Sequence, residues 1–173
     1  MACALTQGYT LDCRDSLGGI VEVYFMAKQD VSSYTVSGGV MSALSKATGK
    51  RFYKYQLVKA TSNFVENINS SVENGTIFYQ QEMTVVLNKL QVNTRNEILL
   101  LAKNLLVAVA KDNNGKYWYL GLTRGLDITG GSAQSGTAEG DRSGYTLTFT
   151  GKEPEMSCEV NSTVAGQLET AGS

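Results

Sequence analysis

Apolar residues along this chain gather in short β-branched and aromatic runs between glycine-marked turns, and most of those runs read as strands. The first is Ile20 to Met26, entered through Gly18-Gly19, and Val31 to Ser37 reads as its shorter partner. Residues 38–50 sustain neither a period of two nor one near 3.6; Met41 to Ala47 offers one helical turn at most, and glycine near both ends favours a mobile loop. Strand text resumes at Arg51 to Val58 and at Thr61 to Ser71, where Phe64, Glu66, Ile68 and Ser70 alternate with Val65, Asn67 and Asn69. Asn74-Gly75 tolerates positive φ and predicts a hairpin into a long strand. On that strand Ile77, Tyr79, Gln81, Met83, Val85 and Leu87 share one face, and Phe78, Gln80, Glu82, Thr84 and Val86 the other. Neither face is fully apolar, and Gln80 and Glu82 in mid-strand suit a surface that meets water or another subunit.

Thr94 and Glu97 then match a capping box, which predicts a helix from about Arg95 to Asn104. Ile98, Leu101, Ala102 and Leu105 form its packing stripe, and Lys103 suits the negative end of the helix dipole. The period changes again at Leu106 to Ala110; a turn at Asp112 to Gly115 and a return through Lys116 to Gly121 make a β-hairpin, with Trp118 expected in the core. Residues 123–143 are a long polar Gly/Ser/Thr segment, expected as a functional or disordered loop. Tyr145 to Thr150 alternates as the last main strand, stopped by Gly151 and Pro154. Residues 155–173 carry only scattered apolar positions and read as an arm or a frayed end; residues 1–17 read as an N-terminal arm. The sequence therefore predicts one mainly β domain over residues 1–173, a β-sandwich or partly closed barrel with a single flanking helix.

Composition narrows the chemistry more than the fold. With 15 Lys+Arg against 16 Asp+Glu, the net charge is -1, so the broad positive field that holds nucleic acid or an acidic membrane is missing. The chain has no histidine, which removes Ser/His/Asp and Cys/His catalysis and HExxH zinc sites. Cys3, Cys13 and Cys158 form no CxxC pair and are odd in number, which suits free thiols better than a zinc ribbon or a disulfide framework. No stretch has the length and apolarity of a membrane span, and no signal-peptide pattern opens the chain, so synthesis and folding in the cytosol without membrane insertion are expected. Asn-x-Ser/Thr at Asn69, Asn74 and Asn161 then carries no glycosylation meaning.

Two charged clusters, Asp12/Arg14/Asp15 and Glu139/Asp141/Arg142, read as solvated loop charges. Gly130-Gly131 lacks the spacing and following helix of a phosphate loop. Trp118 with Tyr117 and Tyr119 lacks the basic groove of a base-stacking platform. No catalytic, cofactor-binding or metal-ligating residue is assigned, and the protein is not expected to be an enzyme.

The order of elements carries a resemblance. A long strand ending Val86-Leu87-Asn88-Lys89-Leu90, a helix opening at Asn93-Thr94-Arg95, then LVAVAKDNNGKYWYLG, GLDITGG and GYTLTFTGKEP, together with the opening LTQGYTLDCRDSLGGI, resemble structural proteins of tailed bacteriophages, most closely tail tube proteins. The likeness is best over Gly75 to Pro154. It implies subunits assembled as hexameric rings that stack around a channel for the genome; a head-to-tail connector ring or a capsid decoration protein is the alternative. Expected partners are other copies of the chain, other virion proteins and genomic DNA in transient passage, with assembly in the host cytoplasm and residence in the virion. Within that reading Val40, Met41, Leu44 and Lys46, and Asp127, Ile128, Glu139, Asp141 and Arg142, are expected at contacts between rings, while Gln80 and Glu82 face the channel or solvent. Long polar loops suit such contacts, and ring closure covers sheet edges that a monomer leaves open.

Overall fold

The computed structural model describes residues 3–173; the first two residues of the expected arm, Met1 and Ala2, lie outside the described residues. The chain runs through β1 (Ile20–Ala27), β2 (Val31–Ser37), β3 (Val40–Lys46), β4 (Tyr53–Gln56), β5 (Asn63–Ser71) and β6 (Thr76–Asn88). Helix α1 (Val92–Lys103), β7 (Leu106–Asp112), β8 (Tyr117–Leu120), β9 (Asp127–Gln134), β10 (Gly144–Glu153), β11 (Cys158–Val160) and α2 (Ser162–Gly166) follow. The strands form two sheets, one in the order β2-β3-β11-β8-β7-β1-β4 and one in the order β5-β6-β10-β9. All pairings are antiparallel except β11 with β3. The fold is mainly β and sandwich-like, and neither sheet closes into a barrel.

Two apolar layers hold it together. Between the sheets, Val23, Phe25, Ala108, Ala110 and Leu120 meet Met83, Val85, Leu87, Tyr145, Leu147 and Phe149, with the Phe25 and Phe149 rings 4.6 Å apart. On the other face of the larger sheet, Tyr24, Met26, Met41, Val107, Val109, Tyr119, Cys158 and Val160 pack with Phe52, Val164 and Leu168. β7 is therefore covered on both faces, which is why Leu106 to Ala110 reads as an unbroken apolar run instead of an alternating one. Fully burying one such Val or Leu contributes roughly 1.5–3 kcal/mol, so this strand is the hub of the fold.

Several sequence expectations are corrected by pairing. β1 and β2 are not partners: the three-residue 3-10 turn Lys28–Asp30 carries the chain across, and β1 pairs with β4 and β7 while β2 pairs with β3. Five strand spacings separate β1 from β2 along the sheet, roughly 24 Å if flat, more than the connector can span. The larger sheet must therefore curl around the second apolar layer. Residues 38–50 are not a loop: Gly38 and Gly39, both at positive φ (59° and 79°), form a two-residue hairpin turn into β3. A register shift between Thr35 and Val36 breaks the pairing on this hairpin, and Met41 and Leu44 both pack in the second layer despite their odd spacing.

Residues 123–143 likewise contain a strand, because β10 supplies β9 with the backbone pairing its small side chains could never replace by burial. At Gly131 an added Cβ would meet the Thr146 carbonyl oxygen at 2.7 Å, so the glycine allows close approach to β10. The helix begins at Val92, earlier than Arg95, with Gln91 at its N-cap and no side-chain cap bond; Thr94 and Glu97 sit inside it and form no capping box. Only Leu101 of the expected stripe is buried; Ile98 is half-buried, while Ala102 and Leu105 are exposed. The C-terminal segment is neither arm nor frayed end. Asn161 accepts a hydrogen bond from the Val164 backbone N–H at 2.8 Å, capping α2, and Val160, Val164 and Leu168 are buried. Trp118 is half-buried at the surface, its indole donating to Asp112 at 3.1 Å; the core residue beside it is Tyr119.

Candidate functional site

The smaller sheet presents its outward face to solvent. Strand pairing sets Gln80, Glu82 and Thr84 of β6 beside Lys152, Thr150 and Thr148 of β10. β5 adds Val65, Asn67 and Asn69, and β9 adds Asp127, Gly130, Ser132 and Gln134. This face is dominated by neutral hydroxyl and amide groups; the carboxylates of Glu82 and Asp127 are offset by the Lys152 ammonium and by the Arg142 guanidinium, which donates to the Thr146 hydroxyl at 2.9 Å, and Arg124 lines a groove with Gln80, Asp127 and Lys152. Phe78, its largest apolar group, lies under Lys152, whose Nζ is 5.4 Å from the ring centroid. The face ends at two open edges, since β5 and β9 each pair on one side only.

A buried polar seam fixes this sheet against the larger one. Gln81 is 2% exposed; its Oε1 accepts from the Gly121 backbone N–H at 2.8 Å and its amide donates to Glu66 at 3.4 Å. Glu66 in turn accepts from the Ser157 backbone N–H at 2.9 Å and from the Ser157 hydroxyl. Glu153, also 2% exposed, accepts from the backbone N–H groups of Thr123, Arg124 and Gly125 at 2.8 to 3.0 Å. The donors and acceptors of this seam are matched, so its work is to hold loop 121–126 in place rather than to transfer protons. Neither Glu66 nor Glu153 carries a local sequence signal, because each partner lies far away along the chain.

At the far edge of the larger sheet, Glu22 binds Lys54 at 3.1 Å and Lys111 at 3.8 Å and accepts from the Tyr24 hydroxyl at 3.0 Å. Burial opposes its charge, but the hydrogen bonds from Lys54 and Tyr24 and the two positive charges outweigh that and hold the carboxyl below its ordinary value. Burial pushes Tyr55 up to about 12 and the Cys158 thiol up to about 11. Among the described residues no group of three or more His, Cys, Asp or Glu side chains converges to hold a metal ion.

The residues named from sequence fall in different places. Gln80 and Glu82 lie together on the outward face, Glu82 exposed and Gln80 half-buried. Asp127 is exposed on the same face at the start of β9, whereas Ile128 turns inward and packs against the core. Glu139, Asp141 and Arg142 lie in the β9–β10 connection, where Asp141 accepts from the backbone N–H groups of Thr137 and Ala138 and Arg142 donates to the Thr146 hydroxyl at 2.9 Å. Those two amide bonds draw the Asp141 carboxyl below its usual range.

The Val40 to Lys46 group is split between core and surface. Met41 has no exposed surface and belongs to the core, and Leu44 packs beside it, partly buried. Lys46 donates to the carbonyl oxygens of Gln167, Leu168 and Thr170, anchoring the C-terminus, and burial lowers its pKa. Val40, at the Gly38-Gly39 turn, is the most exposed of the four, and Leu44 and Lys46 keep part of their surface. No family model, curated protein or solved structure matches this chain.

Proposed function

We propose that this protein is a virion structural protein, a tail tube subunit of a tailed phage whose copies close into hexameric rings and stack around a channel for DNA. The observation that carries this reading is the outward face of the β5-β6-β10-β9 sheet: polar, with few and nearly balanced charges, and bounded by two unpaired strand edges. A conduit for a polyanion must be wet without being cationic, because each Lys or Arg facing the duplex releases counterions and makes it adhere. Threonine, asparagine and glutamine hydrate the wall, and the carboxylates of Glu82 and Asp127 offset the charges of Lys152 and Arg142, so the wall has no cationic stripe to hold phosphate. β5 of one copy beside β9 of the next continues the sheet around the ring and removes both edges at once.

The test is negative-stain microscopy with solution mass over a concentration series. Stacked hollow tubes are expected. Isolated closed rings would favour a connector instead, and a monomer at every concentration would overturn self-assembly. An edge-specific control adds like charges to both edges: Val65→Lys with Ser132→Lys is expected to block ring closure, whereas Val65→Lys with Ser132→Glu restores it. Equal assembly by both double variants would refute the β5–β9 contact.

A further inference from the structure

Two Asn-Gly pairs turn the chain, Asn74-Gly75 between β5 and β6 and Asn114-Gly115 between β7 and β8. This dipeptide has a reactivity of its own. Glycine carries no Cβ to shield its backbone nitrogen, so that nitrogen can reach the side-chain amide carbon of the asparagine before it. The amide must first swing toward the glycine, and the fold decides which asparagine is free to do so.

The two turns are alike in backbone. Gly75 and Gly115 both have positive φ, 63° and 81°. The Gly75 N–H donates to the Val72 carbonyl at 3.3 Å, and the Gly115 N–H to the Asp112 carbonyl at 3.2 Å. Both asparagines are exposed, so neither turn geometry nor access of water separates them.

Their side chains differ. Asn114 Oδ1 accepts from the Leu17 backbone N–H at 2.8 Å, and its Nδ2 donates to the Leu17 carbonyl at 3.1 Å and to the Ser16 hydroxyl at 3.4 Å. Asp112 stiffens the same turn by accepting from the backbone N–H groups of Asn114 at 2.9 Å and Lys116 at 2.8 Å. Turning the Asn114 amide onto Gly115 therefore breaks three hydrogen bonds at once. Among the described residues the Asn74 side chain makes none; its backbone N–H donates to the Ser71 hydroxyl at a long 3.4 Å. Val72 in the same turn is 94% exposed, so no packing restrains this tip.

We infer that Asn74 is a site of spontaneous deamidation and that the fold protects Asn114 from the same reaction. The Gly75 nitrogen gives up its proton to solvent and attacks Cγ of Asn74. The N–Cγ bond forms, the Cγ–Nδ2 bond breaks, and the amide nitrogen takes up a proton and leaves as ammonia, closing a succinimide ring. One water then opens the ring and returns the proton to the Gly75 nitrogen. Attack at Cγ leaves aspartate; attack at the backbone carbonyl carbon leaves isoaspartate. Water enters, ammonia leaves, and nothing is oxidised or reduced.

Either product adds a negative charge beside Glu73 to a chain of net charge -1. At this tip Ser71 and Thr76 form the last pair of the β5–β6 ladder, so the sheet below is expected to survive the change. The same change at Asn114 would exchange the donor to Leu17 and Ser16 for a carboxylate and release residues 16 and 17 from the β7–β8 turn. The inference is independent of the assembly reading above.

The test follows both sites in one sample. The full-length folded protein is held at pH 8 in water enriched in oxygen-18, and its peptides are read by mass spectrometry, with isoaspartate confirmed by isoaspartyl methyltransferase labelling. Acid products carrying solvent oxygen are expected at residue 74 at least ten-fold faster than at residue 114. In urea the two rates should come within about three-fold of each other. Leu17→Pro deletes one of the N–H groups that hold Asn114 and should speed reaction there at least three-fold while leaving Asn74 unchanged. Equal rates in the folded protein would overturn the inference. So would a ten-fold gap that persists in urea, since neighbours in sequence and not the fold would then set it, and an unchanged Asn114 rate in Leu17→Pro would overturn the assigned lock.

Discussion

Replacing Glu153 offers the sharpest test of how the two sheets are joined. Its carboxylate is 2% exposed and receives three backbone N–H groups of the 121–126 loop, from Thr123 at 2.9 Å, Arg124 at 2.8 Å and Gly125 at 3.0 Å. Glu153→Ala strands the buried Gly125 donor, whereas Thr123 and Arg124, both exposed, recover waters. One orphaned donor costs roughly 1–3 kcal/mol; loss of the charge-assisted bonds at Thr123 and Arg124 adds to it and release of the carboxylate's own desolvation offsets part, leaving about 2 kcal/mol. For a chain of this length that is a fall of roughly 6 °C in Tm. Glu153→Gln keeps the shape and one acceptor oxygen but loses the charge, and should cost about 1 kcal/mol. The single tryptophan, Trp118, is a convenient fluorescence probe for urea unfolding. With a slope of about 2 kcal/mol per M, the Ala midpoint should fall by roughly 1 M and the Gln midpoint by roughly 0.5 M. An Ala midpoint within about 0.3 M of the parent, or equal losses for the two variants, would refute the argument that these amides depend on the carboxylate.

Two further outcomes are expected from the titrating groups. Because the Glu22 carboxyl is held below its ordinary value in the folded state, its contribution is full above the unfolded value of about 4.3 and is lost as pH falls through the folded one. The Tm gap between the parent and Glu22→Gln should therefore narrow from pH 6 to pH 3; a constant gap would refute the ion-pair account. Cys158 is 4% exposed with its thiol pushed up to about 11, while Cys3 and Cys13 are exposed. At pH 8 a thiol reagent should modify Cys3 and Cys13 rapidly and Cys158 only after unfolding, and three equal rates would contradict its burial.

Legibility in the sequence tracked how local each interaction is. The Asn74-Gly75 hairpin, the turn at Asp112 to Gly115 and the alternation of Tyr145, Leu147 and Phe149 were readable because turn chemistry and strand period act between near neighbours. β3 and β9 were not. On the β2–β3 hairpin a register shift interrupts the regular pairing, and β9 has almost no apolar content, so its place in the sheet depends on β10 alone. The capping box failed for a similar reason: α1 starts at Val92, after a turn in which the Lys89 backbone N–H donates to the Ser143 carbonyl at 2.7 Å. Gln80 and Glu82 were found on one polar face from strand period, but Glu153, Gln81 and Glu66 gained their partners only when distant loops closed over them.

By itself, then, the sequence determined the strand-rich composition, most turns and the absence of histidine chemistry, because these follow from side-chain type and nearest-neighbour backbone preference. Tertiary structure decided which strands pair, which polar groups are buried, that Met41 is core and that Val160, Val164 and Leu168 close the second layer. Those outcomes depend on contacts between residues far apart in the chain, where the free energy of covering a surface outweighs the local preference of the segment that covers it.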